Sequence, residues 1–170
     1  MFFMEKWDLY DRNRNIIGEH IRGKELPDNG YHLVVHVWIK NSKGQYLIAQ
    51  RSASRKQNPL MCECQGGSVL QGESSIQGAV REVKEEVGIN LDIKDGKLVF
   101  SKVRDVVAGT KFNDIMDVWL FEYDGAISLR HATTDEVAQV KWLYPKEIIE
   151  LRKQHKFVKT LSYFFDKIAE

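Results

Sequence analysis

Gly67-Ser68-Val69-Leu70-Gln71-Gly72-Glu73, seven residues of spacer, then Arg81-Glu82-Val83-Lys84-Glu85-Glu86-Val87-Gly88-Ile89 is the stretch that decides how this 170-residue chain is read. Ser74 with Gln77 three residues on is a capping box, and Gly88 is a left-handed stop, so the spacing predicts a helix from about Ser75 to Val87. At about 100° per residue, Ile76, Ala79, Val80, Val83 and Val87 share one stripe. Gly78, Glu82, Glu85 and Glu86 fall on the stripe beside it. One stripe is fit to pack on a core; the other is acidic.

Acids are badly placed at that end of a helix. Glu82 and Glu86 are like charges one turn apart, costing about 0.2–0.5 kcal/mol, and exposed carboxylates near the C-terminal carbonyls cost about 0.3–1 kcal/mol each. A hard divalent cation reverses both signs, because carboxylate oxygens are its preferred ligands and Mg2+ is commonly held by a few of them together with substrate phosphates. Arg81, four residues before Glu85, is set to pair with it while the other carboxylates face the cation. Gly78 leaves its face of the helix open to close approach by loop backbone, metal or phosphate. A solvated surface helix is the competing reading of such a charge run. The fixed offsets of Gly67, Glu73, Arg81, Glu82, Glu85, Glu86 and Gly88, with aliphatic Val83 and Ile89, favour a functional one.

Residues 67–89 resemble the Nudix box of the Nudix hydrolases at every defined position. The resemblance implies an α/β/α sandwich with a mixed central sheet, and hydrolysis of a diphosphate linked to another group, with Mg2+ or Mn2+ holding the pyrophosphate and water attacking phosphorus. Carried onto this chain, it makes Glu82 and Glu86 the first metal ligands and Glu85 the next, with a backbone carbonyl near Gly67 as a further one. Glu73 either ligates or braces the loop. Glu85 or Glu86 could keep enough basicity to take a proton from water, with Arg81 holding the cluster in order. A second base candidate is Glu136, because the family often supplies a catalytic acid from a late loop; an acid just before a strand also commonly caps a turn. Arg51 and Lys56, near the end of the second core strand, are candidate phosphate contacts, and Gly66 and Gly67 candidate substrate-binding backbone.

The flanks look like the Nudix branch related to isopentenyl diphosphate isomerase: Trp7 to Asp11, Arg22-Gly23, Tyr31-His32, Val35 to Trp38 and Gln50 to Ser52. His32 and Cys64 could match two metal-site residues of that isomerase, but Gly66 or Gly67 stands where its loop histidine would be. A hydrolase is therefore the expected activity, with an isomerase or a non-catalytic ligand sensor as alternatives. Substrate identity is not legible, since the box handles only the diphosphate and the metal.

With 43% hydrophobic and 29% charged residues and a formal charge of +1, the composition is that of an ordinary globular domain. Nothing forms a strong footprint for duplex nucleic acid or anionic membrane. The opening Met1 to Met4 is too short for a signal core and no apolar run reaches membrane-spanning length, so a cytoplasmic protein is expected. Cys62 and Cys64 show no zinc spacing with the five histidines, and no structural disulfide is expected.

Residues 1–170 read as one domain, with 1–30 as an N-terminal extension carrying a hairpin (7–21) that could pair two copies of the chain into a homodimer. Strands are expected at 31–39 and 45–51, as a central pair, and later at 98–105, 112–123 and 137–144; residues 51–64 read as loop. Pro145 opens a helix over 146–154, and Phe157, Leu161, Phe164, Phe165 and Ile168 give the last segment a helical apolar stripe.

Overall fold

The computed structural model describes residues 4–169; the first three residues of the apolar opening and Glu170 lie outside them. An antiparallel hairpin comes first, β1 (Lys6–Tyr10) and β2 (Ile16–Ile21). It is followed by β3 (His32–Lys40), β4 (Tyr46–Arg51), β5 (Cys62–Glu63), β6 (Gln65–Ser68), α1 (Ser75–Val87), β7 (Lys97–Val107), β8 (Thr110–Glu122), β9 (Val137–Leu143), α2 (Pro145–Lys153) and a one-turn α3 (Phe164–Lys167).

Strand β3 carries the architecture because its sequence is apolar on both faces, as a central strand requires. Leu33, Val35, Val37 and Ile39 join one core layer with Val69 and the packed stripe of α1, including Ala79, Val83 and Val87. Val34 and Trp38 point the other way, into a second layer with Ile48, Met116, Ile148, Phe157 and Phe164. The sheet is therefore sandwiched between α1 and the C-terminal segment. It is mixed: β3 runs parallel to β8 from His32↔Asp114 to Lys40↔Glu122, while its other pairings are antiparallel. Among the described residues no helix is long and apolar enough to cross a membrane.

Three elements differ from the sequence reading. Strands β3 and β4 are joined at Lys40↔Tyr46 and then separate, rather than forming a continuous central pair. The edge of β3 so released is taken by β6 and that of β4 by β5, while β9 lines the other edge of β4. Residues 62–68 are thus drawn into strands by open sheet edges, a tertiary demand that local sequence does not announce. The C-terminal stripe is not one helix. Val158 N–H bonds back to Cys62 O, which holds that stretch extended and confines helical geometry to the 3-10 turn Lys159–Leu161 and to α3. Its Phe157, Leu161, Phe164 and Ile168 are nevertheless buried.

Candidate active site

Helix α1 begins and ends where its caps dictate. Ser74 and Gln77 form the reciprocal capping box, and Gly88 sits at φ 73° with its N–H on Lys84 O. The helix leaves the Glu85 carbonyl at its C-terminal end, and the N–H groups of Thr133 and Thr134 take it at 2.9 and 3.2 Å. Gly88 lies against His131 so closely that an added Cβ would stand 2.6 Å from its side chain. The late loop is thereby locked onto the acidic end of α1, which is how Glu136 comes to face it.

Arg81 is the hub of the acidic face. Its guanidinium donates to Glu73 at 2.7 and 3.1 Å, to Glu82 at 2.9 Å, to Glu85 at 3.0 Å and to the Ser68 carbonyl at 2.9 Å. Glu73 in turn accepts from Leu70 N–H, so it braces the turn between β6 and α1. Gly78 makes room for the Val69 side chain of that turn.

Glu86 is set apart from this network. It is buried, and its hydrogen bond in the fold comes from Gly66 N–H at 3.1 Å. A Cβ on Gly66 would stand 2.1 Å from the Val35 carbonyl, and one on Gly67 would stand 2.5 Å from the Glu82 carboxyl. Only glycines let β6 lie between β3 and the acidic helix. Burial holds the Glu82 carboxyl up at about 7, against the pull of Arg81. Burial, with the charges of Glu82 and Glu63 beside it, pushes Glu86 well above the ordinary carboxylate range.

Glu86, Gly66 and Gly67 form one side of a cavity of about 240 Å3, whose other walls bring in Arg51, Arg55 and Arg104. Glu63 also lines it, paired with Arg51 at 2.5 Å and raised in pKa because burial outweighs that arginine. Arg55 pairs with Glu136 at 2.5 Å, and the Glu136 charge is felt at Glu63, Glu82 and Glu86. The structure thus brings together Glu82, Glu86, Gly66, Gly67, Arg51 and Glu136 from the sequence reading. Glu73 and Glu85 stand on the Arg81 side. Lys56 does not line this cavity; Arg55 is the cation of its loop that does.

Glu63, Arg55 and Arg104 escaped sequence reasoning. Glu63 sits in a two-residue strand with no pattern to mark it. Arg104 had a signal, since it and Asp114 face each other across the β7–β8 hairpin and form a buried two-pronged pair at 2.7 and 2.6 Å. His32 lies off the cavity, stacked on Trp7 with ring centroids 4.4 Å apart, so the isomerase-like set of His32 and Cys64 is not assembled around it.

The family model for the NUDIX domain matches residues 30–165. A Nudix hydrolase of Listeria innocua is 38% identical over 164 residues, covering 95% of this chain and 91% of that one. The chain belongs to the Nudix family. It is accordingly a hydrolase of phosphoanhydride bonds, in a family whose members generally use divalent metal ions. A Nudix hydrolase of Listeria monocytogenes is 36% identical with the same coverage. Among solved structures, DR0079 of Deinococcus radiodurans superposes with a TM-score of 0.72, at 22% identity and over 91% of this chain and 93% of that one. The likeness shows the same fold over most of both chains. Hairpin residues 6–21 lie outside the family match.

As a donor set for a divalent ion, the site offers the carboxylates of Glu82 and Glu86 and the backbone oxygens of β6. These are hard ligands in a low-dielectric pocket, with one guanidinium contact on Glu82 and a single peptide N–H on Glu86. Such groups fit Mg2+ or Mn2+. No three His, Cys, Asp or Glu side chains among the described residues form a ready-made cage.

Proposed function

We propose that the protein is a divalent-metal-dependent hydrolase of a diphosphate linked to another moiety, with residues 1–170 working as a single Nudix domain. Glu82 and Glu86 would hold the ion, with the backbone at Gly67 beside them, while Glu85 and Glu73 keep Arg81, and through it Glu82, in place. Such an ion neutralises phosphoryl oxygens and acidifies bound water. Water attacks one phosphorus, the bridging P–O bond breaks, and the second phosphoryl group leaves with the bridging oxygen. Arg51, Arg55 and Arg104 line the opposite wall, where guanidinium forks match phosphate oxygens and meet the charge that develops during transfer. Glu136 takes the proton of the attacking water, its partner Arg55 turning to phosphate. Small-molecule substrate, cytosolic setting and a homodimer through the N-terminal hairpin belong to the same reading.

The observation that supports it best is the pairing of buried Glu86, which has no cationic partner among the described residues, with an arginine-lined wall across one cavity. Glu86→Gln keeps the shape and the Gly66 contact but removes the charge. Turnover should fall at least about a hundredfold with no drop in the melting temperature. The assay is phosphate or nucleotide release over a panel of nucleoside triphosphates, sugar nucleotides, dinucleotides and isoprenoid diphosphates with Mg2+ and with Mn2+. Undiminished turnover in the variant would remove the assignment.

A further inference from the structure

Lys56, singled out in the sequence and absent from the catalytic cavity, lines a neighbouring one of about 390 Å3 with Arg22, Arg51, Ser54, Arg55 and Gln57. Arg51, Arg55 and Gln57 line both cavities, so the two adjoin. We infer that this second cavity is an anion subsite, seating a phosphate that the substrate carries beyond the diphosphate being cleaved; this rests on the hydrolase reading above.

The composition of the wall is the first argument. Among the described residues four cations and no carboxylate line it, in a chain whose formal charge is only +1, so the positive charge is gathered here rather than general. The carboxylate partners of Arg51 and Arg55, which are Glu63 and Glu136, act on the catalytic side. Arg22 shares an exposed ion pair with Glu5 at 2.6 Å, an interaction that solvent screens and that a phosphate can replace. Lys56 is exposed and makes no ion pair among the described residues.

The second argument is that the cations are held ready. Arg51 Nε donates to Gln57 O at 2.9 Å, Leu60 N–H to Arg51 O at 3.1 Å and Arg55 N–H to Ser52 O at 3.2 Å. Ser52 N–H is fixed in turn to Glu136 O at 2.8 Å. The 51–60 loop is thus a closed, internally bonded excursion from β4, and ordering it costs little when an anion arrives. Arg22 comes from a second segment, the end of the N-terminal hairpin. This gives a task to an element outside the family match: it completes the cationic wall beside the catalytic cavity.

The test uses substrate pairs that differ by one phosphate: NADPH against NADH, coenzyme A against its dephospho form, and ADP-ribose against its 2′-phosphate. The wild-type protein should prefer the extra phosphate in at least one pair, chiefly through KM. Lys56→Glu and Arg22→Glu should each lower that preference about tenfold, the worth of one charge-assisted contact. Ratios near unity in every pair, or ratios that neither reversal moves, overturn the subsite while leaving the hydrolase reading standing. Calorimetric binding of inorganic tripolyphosphate supplies a readout independent of turnover. Weaker binding to Lys56→Glu than to wild type supports the subsite even if no diphosphate in the panel is cleaved, an outcome that would sink the hydrolase reading alone. Equal binding overturns the subsite.

Discussion

Glu82→Gln should stabilise the metal-free protein while impairing the enzyme. The Glu82 side chain is 14% exposed and its carboxyl titrates at about 7 instead of 4.5. At about 1.36 kcal/mol per pH unit, ionising it in the fold costs about 3 kcal/mol. Between pH 4.5 and 7 the folded chain holds this proton and the unfolded chain has lost it, so stability falls as pH rises through that window and is lowest above it. Glutamine cannot ionise, and its amide oxygen still accepts from Arg81. The variant should therefore gain about 2–3 kcal/mol at pH 8, or about 4–12 °C in Tm for a chain of this size, and almost nothing at pH 4.5. Melts in EDTA at both pH values measure this. Added Mn2+ should then reverse the order: an ion at a hundred times its Kd stabilises the wild type by about 2.7 kcal/mol, and the variant by less. A variant that melts below wild type at pH 8 in EDTA would refute the premise that this carboxylate is held at a cost until a cation arrives.

Other variants separate geometry from charge. Gly67→Ala puts a methyl group against Glu82 and should cut kcat at least about tenfold with little loss of stability, whereas Gly66→Ala collides with the β3 backbone and should cost about 2 kcal/mol or more in urea unfolding. Arg81→Lys keeps the charge but loses the fork that joins Glu73, Glu82, Glu85 and Ser68; kcat should drop about tenfold or more with KM nearly unchanged. His36 is held neutral by burial, its pKa pushed down to about 3. Because the unfolded chain gains this proton below about 6.5, His36 contributes stability at neutral pH that is lost as pH falls toward 3, and His36→Asn should flatten that part of the urea-midpoint profile.

The acidic helix was legible to the residue because its determinants are local: a cap at Ser74, a stop at Gly88, and a period of 3.6 that sorts Val83 from Glu82. The outer strands were legible for the same reason, alternating or β-branched runs between turns. Residues 62–68 were not, because what makes them strands is the parting of β3 from β4, a property of the sheet. The cavity's far wall was hidden for a related cause. Arg55 and Glu63 owe their places to the 51–60 loop folding back on β4, and Arg104 owes its place to the hairpin register that sets it against Asp114.

The same distinction explains why the 67–89 pattern tolerates so little freedom in this structure. Each defined position is tied to another by contact rather than by adjacency. Gly67 leaves the space that Glu82 fills, Glu73 and Ser68 hold Arg81, Arg81 holds Glu82 and Glu85, Gly66 N–H meets Glu86, and Gly88 admits His131 and with it the loop that carries Glu136. Moving one residue of the helix by a single position would rotate it about 100° and break several of these contacts together. A helix selected for stability would place lysines, not glutamates, on its last turn. Here Lys84 shares that turn with Glu85 and Glu86, and Glu82 stands one turn earlier; on the proposed reading these acids are one side of an interaction whose other side arrives with the substrate.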